Sequence, residues 1–189
     1  ALEINPDLHH ALAHLVHQQQ HICDWQDLEH NINNVRQIVK SIPSARISPF
    51  AFLSMPGTTA EEQKTCANHW VQNQFANLIA LGEELNFKHQ TSHGDKHQKI
   101  KIGYLSADFR LHPLAFLITE LIELHDRTQF EVFAFSFGLD DKSSARIRLE
   151  KAFDAFHDIR FLTDIEAANK INACGIDILV DLTGFTQTS

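Results

Sequence analysis

In the first half of the chain, apolar side chains recur every three or four residues. Leu8, Leu12, Leu15 and Ile22 mark one stretch and Trp25, Leu28, Ile32, Val35 and Val39 the next. This spacing gathers them on one face of each of two helices, read as an antiparallel pair. Pro43, Pro49, Pro56 and Gly57 then interrupt the pattern and predict an irregular segment. Thr58 or Thr59 follows as a helix cap, with Glu61 and Glu62 suitably placed in the first turn of a helix expected over 60–80. The first 87 residues therefore read as all helical.

The grammar changes after residue 98. Short β-rich runs alternate with amphipathic stretches: strands over 99–105, 130–137, 157–161 and 176–182, and helices over 113–125, 142–155 and 164–174. Of the strands, 157–161 is the weakest and 176–182 reads as buried. Strand–helix alternation with connections of this length predicts an α/β fold with a parallel, doubly wound, Rossmann-like sheet. The stretch from Lys88 to Gln98 is wholly polar and contains Gly94, so it reads as a linker. The expected organisation is a helical region at 1–87, the linker at 88–98 and a Rossmann-like lobe at 99–189. A full doubly wound unit continues to a fifth and sixth strand, so this lobe is expected to be partial.

Composition narrows the classes. The chain has 189 residues, 43% of them apolar, with 16 Lys+Arg against 24 Asp+Glu for a net charge of −8. No apolar run approaches a membrane span, and a net acidic chain without a basic stripe argues against nucleic acid as partner. Cys23, Cys66 and Cys174 are odd in number and form no Cys-x-x-Cys pair. With no secretory pattern over residues 1–7, that predicts a reducing, cytoplasmic setting.

In an open parallel sheet, ligands sit beyond the carboxyl ends of the strands where the strand order reverses. If the order is 3-2-1-4, two loops meet there: Ser106 to His112 after the first strand, and Asp181 to Thr186 after the fourth. Pro113 fits the first position of the next helix, which makes His112 its cap, beside the positive end of the helix dipole. A positive neighbour favours neutral imidazole, so His112 is the candidate general base; the alternative is a histidine that only caps the helix. Thr183, Gly184 and Thr186 can offer N–H groups and hydroxyls to a sugar or phosphate, or simply form a turn that ends a strand. Asp108 and Asp181 place two carboxylates near the crevice, unless they serve only an Asx-turn and a solvated strand end. No Gly-x-Gly-x-x-Gly or P-loop pattern occurs, which argues against a nicotinamide dehydrogenase or a P-loop NTPase.

Two other features invite a metal. His10, His14, His17 and His21 align along one helix face, but the leucines opposite make that face the polar side of an amphipathic helix. Asp140-Asp141 has the look of a divalent-metal motif but lies in a turn-forming stretch. Neither is taken as a metal site, and no cofactor is expected.

Three segments in this order resemble a known family. They are Ile100-Lys-Ile-Gly-Tyr-Leu-Ser-Ala-Asp-Phe-Arg-Leu-His-Pro113, Phe130 to Gly138 with Asp140-Asp141, and Gly175-Ile-Asp-Ile-Leu-Val-Asp-Leu-Thr-Gly-Phe-Thr186. They are similar to the catalytic region of the O-GlcNAc transferase family, especially its bacterial and SPINDLY-like members. Upstream, Cys23-Asp-Trp25 resembles the end of the family's tetratricopeptide (TPR) superhelix, and Ser48 to Gly57 the segment that joins it to the catalytic lobe. The resemblance implies part of a two-lobed GT-B enzyme that transfers GlcNAc from UDP-GlcNAc to Ser or Thr hydroxyls of proteins, with inversion and without metal. It also implies that the nucleotide sugar is held mainly by a C-terminal lobe beyond this stretch, so that the 189 residues alone would be inactive. His112 falls at the family's His-Pro position, considered for a base role, and Thr183, Gly184 and Thr186 match its active-site loop. Asp177 stands where animal enzymes have His, and Cys174 replaces a nearby acidic residue, so no catalytic role is carried to either. The alternatives are a SPINDLY-like transfer of fucose from GDP-fucose and a non-catalytic TPR-type interaction module.

Overall fold

The computed structural model describes residues 2, 4–5, 7–85, 87 and 99–185, with only the backbone of Glu84. The expected linker 88–98 lies outside the described residues. The chain divides into two compact units, Ala1–Asn86 and Phe87–Ser189.

The first unit holds four helices: α1 (His9–His21), α2 (Leu28–Ser41), α3 (Pro49–Leu53) and α4 (Ala60–Leu85). α2 buries Leu28, Ile32, Val35 and Val39, the stripe its spacing predicts. α1 uses only part of the face its leucines suggest, with Leu12 packed at the edge of the core. It buries Ala13, Val16 and Gln19, while Leu15, Ile22 and Trp25 are exposed. Gln19 tolerates burial because its amide is satisfied, donating to Gln26 O at 2.8 Å and accepting from Asn31 at 3.0 Å. The stripe of His10, His14 and His21 faces solvent, with His17 half-buried.

The expected irregular segment contains α3, capped by the Ser48 hydroxyl with Pro49 in its first turn, and it sends Phe52 fully into the core. α4 starts with a reciprocal capping box. The Thr59 hydroxyl accepts from Glu62 N at 3.2 Å, and the Glu62 carboxylate accepts from Thr59 N at 2.8 Å. Thr59 is therefore the cap. The same carboxylate pairs with Arg36 at 3.1 Å and Lys40 at 2.9 Å on α2, joining the two helices. The helix runs to Leu85, five residues beyond expectation.

The second unit is a four-stranded parallel sheet, β1 (Ile100–Ser106), β2 (Phe130–Ser136), β3 (Ala155–Asp158) and β4 (Ile178–Asp181), interleaved with α5 (Pro113–Glu123), α6 (Ser144–Ala152) and α7 (Asp164–Ala173). The order is β3-β2-β1-β4, as the conditional reading requires. Period-two alternation sends Ile102, Tyr104, Val132 and Ala134 into a core with Ala115, Ile122 and Leu149 of α5 and α6. Phe133 and Phe135 enter a second core beside Ala167 and Ile171 of α7. Gly103 makes room for that second core, since a Cβ there would stand 3.0 Å from the Phe135 ring.

Two elements shift and one differs in burial, beyond differences of a residue or two at other ends. α6 is shorter than 142–155 because the Ser143 hydroxyl sets its start and Phe153 is extended. β3 comes earlier than 157–161, since its register with β2 begins at Ala155. β4 is not buried: Ile178 and Leu179 are about half exposed, because among the described residues β4 is an edge strand. No described helix is long and apolar enough to cross a membrane.

Candidate functional site

β1 and β4 are adjacent and parallel, so the segments leaving their carboxyl ends emerge side by side. They are joined directly. Leu182 N donates to Leu105 O at 3.0 Å, and Ala107 N donates to the Thr183 hydroxyl at 3.3 Å. Thr183 is only 4% exposed, so its hydroxyl ties the two loops together instead of being presented at the surface. Asp181 is spent within its own loop, its Oδ1 accepting from Thr183 N at 2.9 Å and Gly184 N at 3.1 Å. Gly184 has a φ of +55° with open space around its Cα, a backbone that a larger residue would strain. Thr186 lies outside the described residues.

On the β1 side, His112 caps α5. Its backbone is extended, Pro113 follows as the first helical residue, and its Nδ1 accepts from Leu114 N at 3.2 Å. A ring nitrogen that accepts an N–H carries no proton, so the neutral ring bears its proton on Nε2. The side chain is 38% exposed. Asp108 does not close an Asx-turn. Its N–H donates to the Ser106 hydroxyl at 3.0 Å, and its carboxylate takes Arg110 at 3.0 Å and lies 3.8 Å from His112 Nδ1. Asp108, Arg110 and His112 thus form one cluster along the loop.

Several residues that support this cluster carry no sequence signal. Arg146 looks like a solvated position on a charged helix, but its side chain is 3% exposed and donates to Phe109 O at 3.0 Å and the Ser136 hydroxyl at 2.9 Å. Asp140 and Asp141 do form a turn, with Lys142 at a φ of +55°. Asp141 also accepts from Leu111 N at 2.7 Å, and that N–H, followed by the Ser143 N–H, holds its carboxyl below the usual carboxylate range. Asp177 sits at the other end of the sheet, accepting from Lys101 N at 2.8 Å near the start of β1. Cys174 lies there too, its carbonyl taking the Lys101 ammonium at 3.1 Å. Among the described residues, no three His, Cys, Asp or Glu side chains converge as metal ligands.

Residues 22–189 match the model of glycosyl transferase family 41. The chain belongs to this family. It is 29% identical over 180 residues to a Caenorhabditis elegans UDP-N-acetylglucosamine–peptide N-acetylglucosaminyltransferase, covering 89% of this chain and 15% of that protein. It is 28% identical over 189 residues to the probable Arabidopsis thaliana enzyme SEC, covering 92% of this chain and 18% of that one. The Arabidopsis thaliana SPINDLY protein, named as a probable enzyme of the same kind, is 33% identical over 98 residues, covering 50% of this chain and 11% of that one. The chain thus spans less than a fifth of the length of these relatives. A solved Thermobaculum terrenum O-GlcNAc transferase mutant is 20% identical with a TM-score of 0.46, covering 93% of this chain and 46% of that one.

Proposed function

We propose that this chain forms the TPR end and part of the acceptor-side GT-B lobe of a protein O-glycosyltransferase. The enzyme moves N-acetylglucosamine from UDP-GlcNAc to Ser or Thr hydroxyls of protein acceptors, with inversion and without a metal. Family membership supports the class of reaction. The observation that supports the site is the hydrogen bond from Ala107 N to the Thr183 hydroxyl, which joins the loop that leads to His112 to the loop after β4.

In an inverting transfer, the acceptor oxygen bonds to the anomeric carbon as that carbon's bond to the diphosphate breaks, the acceptor's proton passes to water, and negative charge grows on the leaving oxygen. His112 as it stands offers Nε2–H, a hydrogen-bond donor suited to that charge. To accept the acceptor's proton instead, the ring would first have to carry its proton on Nδ1 and release Leu114 N, at a cost of about 1 kcal/mol. The donor role needs no such rearrangement and is the one assigned here. Asp108, Asp181 and Thr183 hold the loops in place, while Gly184 and the residues after it approach the sugar or phosphate. The nucleotide sugar is held mainly by a second lobe of the longer protein.

The test is transfer of radiolabelled GlcNAc by the full-length protein. His112→Ala lowers turnover at least ~100-fold, the scale of a lost oxyanion donor. His112→Asn keeps both a cap acceptor and an N–H donor, and stays at least about tenfold above Ala. Near-normal turnover of the Ala variant removes His112 from the site, and equal loss in both variants restores the base role. Preferential transfer from GDP-fucose overturns the donor assignment, and no transfer from either donor leaves an interaction module.

A further inference from the structure

The loop that carries His112 is held at alternate residues from outside itself. The Ala107 N–H is taken by Thr183, the Phe109 carbonyl by Arg146, and the Leu111 N–H by Asp141. The intervening residues Asp108, Arg110 and His112 carry the site's polar side chains. Two of these three anchors come from one stretch, Asp141 from the connection between β2 and α6 and Arg146 from the first turn of α6. That connection touches the loop twice more. Phe137 N donates to Ser106 O at 3.2 Å, and Gly138 lies so close that a Cβ on it would overlap the Ala107 carbonyl.

We propose that Asp141 and Arg146 are positioning residues for His112, and that the β2–α6 connection is the brace that sets the active-site loop. The inference rests on the reading of His112 given above and adds how that side chain is kept in place. Arg146 is an unusual choice for a merely structural helix residue. Burying a guanidinium is unfavourable unless it is paired and hydrogen-bonded, and here its Nη1 donates to the loop carbonyl and to the Ser136 hydroxyl at the end of β2, while its Nε donates to Glu150 at 2.7 Å. The Phe156 ring lies beneath it at 4.2 Å. This geometry fixes Phe109 relative to both β2 and α6. Asp141 acts one step nearer, because Leu111 directly precedes His112, and a fixed Leu111 amide sets the direction from which the chain enters the α5 cap. If either anchor is lost, the loop is free to leave the cap, and His112 Nδ1 is no longer obliged to accept Leu114 N.

The first readout needs no catalysis. In the 15N-labelled 189-residue chain, ring nitrogen shifts report the His112 tautomer, and amide exchange reports Leu111 and Leu114. Asp141→Ala is expected to turn the single Nε2–H signature into a tautomer mixture and to speed exchange at both amides at least about tenfold, with Val132 in β2 still protected. Asp141→Asn keeps an acceptor oxygen and restores the wild-type pattern. Arg146→Lys, tested independently, should also loosen the tautomer. In the full-length enzyme, Asp141→Ala lowers kcat with the donor KM unchanged, and Asn rescues it. A wild-type His112 signature in both Asp141→Ala and Arg146→Lys, or an unchanged kcat for Asp141→Ala, overturns the proposal. An active His112→Ala enzyme would defeat the functional reading instead, so the two failures are distinct.

Discussion

Glu62 offers the sharpest energetic prediction in the molecule. Its side chain is 5% exposed, and burial alone would raise its pKa. The Thr59 N–H, Lys40 and Arg36 together outweigh that and hold it at about 2, against an ordinary value of 4.5. The folded value is the lower one, so the unfolded chain takes up the proton first as pH falls. The contribution is complete above about pH 5 and disappears as pH drops through about 2. At ~1.4 kcal/mol per pH unit the gap sets a ceiling of about 3.5 kcal/mol. Lys40 is 51% exposed, and screening of that partner brings the expected figure to about 2 kcal/mol. Glu62→Gln isolates this quantity, because glutamine still completes a capping box with Thr59 while carrying no charge for Arg36 or Lys40. Both tryptophans, Trp25 and Trp70, lie in the helical unit. Urea unfolding followed by tryptophan fluorescence therefore reports that unit. The variant should lose about 2 kcal/mol at pH 7 and converge on the wild type near pH 2. A loss under about 0.5 kcal/mol at pH 7, or one that persists undiminished at pH 2, would refute the reasoning.

Gly138→Ala should destabilise the α/β unit by about 3 kcal/mol, since the new methyl group overlaps a backbone carbonyl that cannot rotate away; an unchanged far-UV melting curve would count against the close approach. Cys66 is 2% exposed, bonded to Ile47 O at 3.5 Å, and burial pushes its thiol up to about 12. Thiol-specific labelling at pH 8 followed by peptide mapping should therefore modify exposed Cys23 in the native chain and Cys66 only on unfolding, and comparable rates at the two would contradict the packing.

The elements that could be read from the sequence are those whose burial is carried by apolar side chains at a regular period. α2 is the clearest case, and β1 and β2 are nearly as plain because Ile102, Tyr104, Val132 and Ala134 alternate with residues of the opposite face. α1 misled because its buried stripe ends in Gln19, whose cost of burial is met by Gln26 and Asn31, partners that no periodicity contains. β4 misled in the other direction: Ile178 and Leu179 look like a central strand, but their exposure depends on what lies beside them. The same division holds at the site. Pro113 marked His112 as a cap, because proline at the first helical position is a local rule. Local pattern could not show that the Thr183 hydroxyl faces inward, nor that Arg146 and Asp141 reach across to residues 109 and 111. Those facts depend on which strand lies next to which.

The place of β1 at the centre of the sheet also has a consequence for the order in which the molecule is made. β1 and β2 are close in sequence and pair in register from Ile100 with Phe130, so that half of the sheet can form early at modest loop-closure cost. The other partner of β1 arrives much later, and the bond between Ala107 and Thr183 spans 76 residues. During synthesis from the N-terminus, His112 and its brace from the β2–α6 connection can be in place before residue 183 exists. The Thr183 hydroxyl reaches Ala107 only when β4 docks, so a ribosome that stops short of it releases a chain whose histidine loop is braced from the β2–α6 side alone.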